Sequence, residues 1–312
     1  MMTQRIYRIG TRGSDLALWQ AQTVMGLFSK PAKLEIIKTE GDRRLDISLQ
    51  GGSATGFFTK DIEKRLAASE IDVAVHSLKD LPTLIAPFFS LAAYLPRGPV
   101  GDLLLVHPDW WDEQGLLPVK SGCTIGAGSL RRQSLVKHFR PDCNPTLIRG
   151  NVPTRVDKCR RGEYGAIVLA RAGLERLQLD LAPLHVVELD LAYWLPAPGQ
   201  GAVAVEVRQE DTGAMQAAAQ LDHAPTRAAV ELERKLLAGF EGGCHTAFGA
   251  YARPVDDGWK VTIGIDRGAD GWGEFKISGQ QADISQVGIE LLPLFTRPQL
   301  PPRQDLWSPW QL

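Results

Sequence analysis

Residues 58 to 82 read FTKDIEKRLAASEIDVAVHSLKDLP, and the class of the fold follows from how this stretch changes along its length. Phe58 to Ala68 reads as a helix and Ile71 to Val75 as an apolar strand. The polar run His76 to Asp80 follows at once, at the place where a strand of an α/β sheet presents binding groups. Toward the N-terminus the alternation repeats. Arg8 to Thr11 ends a strand, and Ser14 stands where a hydroxyl caps a helix, with Leu16, Trp19, Val24, Leu27 and Phe28 on one face. Leu34 to Lys38 reads as a further strand.

Farther on, Pro and Gly punctuate two segments, Pro96 to Gly101 and Leu195 to Gly201. They bracket a second α/β unit with a strand at Thr124 to Ala127, a helix at Ser129 to Phe139 and a strand at Ala166 to Leu169. Gly201 to Val207 is strand-like again, so the chain is expected to return to the first domain there. Two crossings make a hinge with a cleft, the place ligands favour. After Asp222 come a helix (Thr226 to Ala238), a Gly-rich loop, three strand-like runs and a final helix around Ile284 to Leu294. The runs are parted by Asp256-Asp257-Gly258 and Ala269-Asp270-Gly271, which indicate antiparallel hairpins. The expected division is residues 1–97 with 199–218, residues 101–194, and a smaller α+β domain at 222–312.

Composition narrows the function. A hydrophobic content of 44% over 312 residues supports large cores, which excludes disorder as the main state. Lys and Arg number 35 against 36 Asp and Glu, so no whole-molecule field attracts nucleic acid or an acidic membrane, and any anion site is local. The segment MMTQRIYRIG has no apolar core of a signal peptide, and no run of about 18 apolar residues occurs; a soluble cytoplasmic protein, or an organelle protein already trimmed, is expected. Cys123, Cys143, Cys159 and Cys244 form no C-x-x-C pair, and the six histidines form no i, i+4 pair, so no metal site is expected.

Chemistry concentrates in a few places. Gly128-Ser129-Leu130-Arg131-Arg132 is a capped helix start that sets two guanidiniums against the positive end of the helix dipole, unfavourable by about 0.3–1 kcal/mol each. Two readings remain open: an anionic ligand offsets that cost, or both arginines pair with acids across the domain. Arg12, Lys79, Arg149, Arg155 and Arg176 recur at the predicted ends of elements, and such shared placement implies a multiply charged anion. Asp80 is the candidate acid/base group, with an ordinary ion pair to Lys79 as the competing reading. In Glu241-Gly242-Gly243-Cys244-His245 the glycines give Cys244 close access as a nucleophile or covalent anchor; the other three cysteines read as buried and inert.

Taken together, these segments resemble one family along nearly the whole chain, the hydroxymethylbilane synthases. The likeness rests on Ile9-Gly10-Thr11-Arg12-Gly13-Ser14, Asp72 to Pro82, Ser129-Leu130-Arg131-Arg132-Gln133, Leu147 to Arg155, Leu195 to Ala202 with Gln200, and Gly242-Gly243-Cys244-His245. It implies two α/β domains like those of periplasmic binding proteins around a hinged cleft, plus a C-terminal α+β domain. The implied enzyme is a monomeric transferase of tetrapyrrole biosynthesis, acting on porphobilinogen and on neither nucleic acid nor membrane. It would hold a dipyrromethane cofactor through Cys244, join four porphobilinogen units to it head to tail with loss of ammonia, and release the linear hydroxymethylbilane. By position, Lys79, Asp80, Ser129, Arg131 and Arg132 would bind the cofactor. Arg12, Ser14, Arg149, Arg155, Arg176 and Gln200 would bind substrate, with Asp80 catalytic. The chain departs from the family in Gly51-Gly52-Ser53-Ala54-Thr55-Gly56-Phe57-Phe58, a longer lid loop with Thr55 where lysine is expected, and in Gly128, where serine is common.

Overall fold

In the computed structural model, residues 5–39, 59–240 and 247–296 are described. Strands β1 (Tyr7–Arg12), β2 (Ala32–Ile37), β3 (Val73–Ser77) and β4 (Phe89–Tyr94) begin the first sheet. The chain then crosses at residues 95–101 and builds a second sheet from β5 (Asp102–Val106), β6 (Thr124–Ala127), β7 (Asn144–Thr146), β8 (Ala166–Ala170) and β9 (His185–Leu189), in the order β7-β6-β8-β5-β9. It returns with β10 (Val203–Arg208), which completes the first sheet in the order β2-β1-β3-β10-β4. The first strand after each crossing lies antiparallel to the neighbours that flank it: β10 between β3 and β4, and β5 between β8 and β9. The remaining pairs, β1 with β2 and β3 and β6 with β7 and β8, are parallel.

Parallel strands are stable when both faces are covered, and β3 shows how its sequence meets that need. Val73 and Val75 pack with Ala21 and Val24 of helix α1 (Asp15–Leu27), while Ala74 joins Ile62 and Leu66 of α2 (Lys60–Ala67) on the other face. In the second sheet, all five residues of β5 are buried between α3 (Leu130–Phe139) on one side and α4 (Val152–Arg160) and α5 (Arg171–Leu177) on the other. Each large apolar side chain sunk this way contributes about 1.5–3 kcal/mol.

Helix α6 (Thr212–Ala219) packs on the first sheet, and α7 (Ala224–Gly239) leads to a meander of β11 (Phe248–Val255), β12 (Gly258–Asp266) and β13 (Trp272–Gly279), followed by α8 (Gln281–Thr296). The two Asp-Gly segments lie at the two hairpin turns.

Some local expectations change. Ser14 occupies the N-cap position of α1 but its side chain makes no capping bond, and Leu27 is 55% exposed because the buried stripe runs through Gln20, Ala21 and Val24 instead. Strands β4, β5, β7 and β9 and helices α4, α5 and α6 carry too short or too uniform a pattern to stand out in the sequence.

One buried ion pair holds the third sheet to both crossings. Glu233 of α7, fully buried, accepts from Arg97 in a two-pronged pairing at 2.8 Å each, and from the backbone N–H of Gly199 (2.7 Å) and Ala252 (3.0 Å). Removing one partner of such a pair strands the other charge. Glu233→Ala is therefore expected to cost about 3–5 kcal/mol in urea unfolding; a loss under about 1 kcal/mol would show the pair to be dispensable.

Candidate active site

The ends of β3 and β8 face each other across an open cleft, about 500 Å³ including its mouth. Among the described residues its charged lining consists of Lys79, Arg132, Arg155 and Arg176, with Gln20 and Ser77 as further polar groups and no Asp or Glu. A site with this lining suits a ligand bearing several carboxylates.

Each cation is placed by the local fold. Strand β3 runs into a single 3-10 turn, Leu78–Asp80, that carries Lys79 into the cleft. Burial and then the positive charge of Arg132 push its ammonium pKa down to about 8. Strand β6 leads through Gly128 into α3, whose N-cap Ser129 accepts from the Arg132 N–H at 3.4 Å. From α4, Arg155 donates through Nε to the Gly150 carbonyl at 2.8 Å, and burial followed by Arg132 lowers its pKa to about 10. The departure at residue 128 has a steric consequence: a Cβ there would lie 2.7 Å from an Arg155 terminal nitrogen. The missing side chain is the room in which that guanidinium rests. Arg176, in the last turn of α5, donates to the Gly201 carbonyl at 2.6 Å and lies 5.1 Å over the Trp19 ring of α1, spanning both lobes.

Asp80 is exposed, and no ion pair within 4 Å joins it to Lys79, so the ordinary salt bridge left open by the sequence is not formed. Its carboxylate acts on Lys79 and Arg155 at longer range, raising the pKa of both.

The arginine pair of α3 answers both readings at once. Arg131 and Arg132 are 4% and 5% exposed and share the buried carboxylate of Asp102 at 2.9 and 2.7 Å, yet Arg132 also lines the cleft. Arg131 does not, and donates besides to the Leu195 carbonyl. Gln200 is likewise placed away from the lining. At 1% exposure it donates to the carbonyls of Val100 (2.7 Å) and Gly101 (3.3 Å) and to Asp102 (2.8 Å), tying one crossing to the other. Arg12 at the end of β1, Ser14 and Arg149 are outside the lining as well.

Sequence reasoning gave no role to Gln20, whose amide donates to Ser77 Oγ at 2.8 Å, or to Asp102. The signal for Gln20 was a polar residue on the buried stripe of a helix; Asp102 offered none. Cys244 and the loop of residues 51–58 lie outside the described residues, whereas Phe240 and Phe248, on either side of Cys244, bring their rings within 5.4 Å. Cys123, Cys143 and Cys159 are buried, and burial pushes the Cys123 and Cys159 thiols up to about 12. Among the described residues no group of His, Cys, Asp and Glu has the arrangement of a metal site, and no helix is long and apolar enough to cross a membrane.

Fold and cleft define a two-lobed α/β protein with a cationic cleft between its lobes. Residues 7–216 match the family model described as "Porphobilinogen deaminase, dipyromethane cofactor binding domain". Similar curated proteins include the porphobilinogen deaminases of Syntrophobacter fumaroxidans (36% identical over 93% of this chain and 94% of the relative) and Brevibacillus brevis (37%, 91% and 92%). The probable porphobilinogen deaminase of Methanosarcina barkeri is 40% identical over 82% of this chain and 79% of the relative. The chain belongs to the porphobilinogen deaminase family. Among solved structures it is similar to a periplasmic domain of BvgS from Bordetella pertussis (TM-score 0.43, 11% identity, 69% of this chain and 86% of that one). A Parabacteroides distasonis ABC transporter protein gives a TM-score of 0.42 at 13% identity over 76% and 75%.

Proposed function

We propose that the chain is a hydroxymethylbilane synthase, a transferase that deaminates porphobilinogen and joins four units head to tail into the linear tetrapyrrole. The observation that carries this reading is the cleft whose described lining holds four cations and no acid, since every pyrrole of substrate and cofactor brings an acetate and a propionate. When bound, the dipyrromethane group supplies a terminal pyrrole with a free α-carbon, to which the first unit is added. Cys244 is its anchor. Lys79, Arg132, Arg155 and Arg176 neutralise and orient carboxylates, and Arg131 shares Asp102 with Arg132 behind the lining. Arg12, Ser14, Ser129, Arg149 and Gln200 complete the proposed contacts as the lobes move on the hinge.

Asp80 sits at the edge of this cationic field without an ion-pair partner within 4 Å among the described residues, suited to hold the pyrrole N–H of porphobilinogen and to pass a proton as ammonia leaves. The reading keeps the division into residues 1–97 with 199–218, 101–194 and 222–312, supported by the place of β10 in the first sheet, and a monomer in the cytoplasm. Incubation with porphobilinogen should release ammonia and hydroxymethylbilane, and fresh protein should carry the extra mass of two deaminated pyrroles. Binding without turnover would instead define a receptor for the same anion.

Lys79 allows a test with two opposite signs. Its pKa near 8 in the fold lies below the free value of about 10.4, so its ammonium costs stability below pH 8, and the penalty fades as pH rises to the free value. Lys79→Gln should thus melt no lower than wild type at pH 7. Its KM for porphobilinogen should rise about 10- to 150-fold, from one lost charge-assisted bond of about 1.5–3 kcal/mol. Lower melting with unchanged KM would make Lys79 structural.

A further inference from the structure

Asp102 has no contact with the cleft, yet five donors converge on it. Its Oδ2 accepts from an Arg131 terminal nitrogen (2.9 Å), Arg132 Nε (3.1 Å) and Trp194 Nε1 (3.0 Å). Its Oδ1 accepts from the other Arg132 prong (2.7 Å) and Gln200 Nε2 (2.8 Å). The carboxylate is fully buried at the first residue of β5, where one crossing ends. Gln200 lies on the other crossing and Trp194 immediately before it, and Arg131 and Arg132 begin α3. One acid therefore joins three pieces of chain.

We infer that Asp102 is a positioning residue for the cleft: it fixes the Arg132 guanidinium against both hinge strands, so that the cation meeting the ligand is aimed by an acid the ligand never touches. The geometry supports this in two ways. Arg132 spends Nε and one terminal nitrogen on Asp102, and its other terminal nitrogen has no hydrogen-bond partner among the described residues, on a side chain that lines the cleft. A rigid fork held on one edge presents the other in a fixed direction. The charges agree, because one anion shared by two guanidiniums leaves a net positive charge for a carboxylate. Burial opposes the Asp102 charge, but Arg132 and Arg131 hold its carboxyl well below the usual range, so this arrangement persists across the working pH.

The inference rests on porphobilinogen being the substrate, and a double-mutant cycle separates the two. Asp102→Asn and Arg132→Lys are made singly and together, and KM, cofactor content by intact mass and melting temperature are measured on each. Lysine keeps the charge but cannot form the fork. Asp102→Asn alone should raise KM at least tenfold and lower melting. In the Arg132→Lys background its effect on KM should shrink below twofold while the melting loss persists. Equal effects on KM in both backgrounds would overturn the positioning role, leaving Asp102 as part of the fold. If Asp102→Asn does not accumulate, Trp194→Phe removes one donor to Oδ2 and carries the same cycle with the same criterion. Absence of hydroxymethylbilane from wild type would overturn the substrate reading instead.

Discussion

Cys244→Ala should yield a folded protein that carries no cofactor and shows no porphobilinogen turnover above background. The described core under the third sheet is built from residues such as Leu232, Leu236, Phe248, Ala250 and Ile263, which the substitution leaves in place. The substitution shortens one side chain by a single sulfur atom. What it removes is the proposed anchor, and no other described cysteine is suited to replace it, because Cys123, Cys143 and Cys159 are buried with their thiolates disfavoured. Melting close to wild type, an intact mass lacking the two pyrrole units, and no ammonia release are the three expected results. Turnover at the wild-type rate would remove Cys244 from the chemistry.

Asp80→Asn should separate chemistry from folding. Asparagine keeps the size of the side chain, and the carboxylate it replaces is exposed and makes no ion pair with Lys79, so melting should hardly change. Proton transfer at the pyrrole nitrogen should fail, because an amide neither neutralises the positive charge that develops as ammonia leaves nor exchanges the proton. Turnover is expected to drop about 100- to 10,000-fold with cofactor content unchanged. The same substitution should lower the pKa of Lys79 further, since Asp80 is one of the two groups that raise it. A protein that melts earlier and works at nearly the wild-type rate would place Asp80 in the fold rather than the mechanism.

How much of this was legible depended on whether a residue's role is local. A strand followed by a polar turn, as in Ile71 to Asp80, announces itself through period and composition, and the placement of cations at the ends of elements implied a multiply charged anion. The pattern of short runs, the Pro and Gly crossings and the Asp-Gly turns determined an α/β chain with a smaller antiparallel domain, because those signals reside in adjacent residues. Arg131 and Arg132 could not be resolved in that way. Nothing near them in sequence is Asp102, which lies 29 and 30 positions away, nor Trp194 or Gln200, 92 and 98 positions from that acid. Gln200, read from the sequence as a ligand contact, also ties the hinge, since only the meeting of two crossings brings the carbonyls of Val100 and Gly101 to its amide. The sequence by itself thus determined which chemical groups the protein offers and at which ends of its elements. Only the tertiary structure decided which of them face the cleft and which are held behind it, because burial and charge pairing depend on distances between segments far apart along the chain.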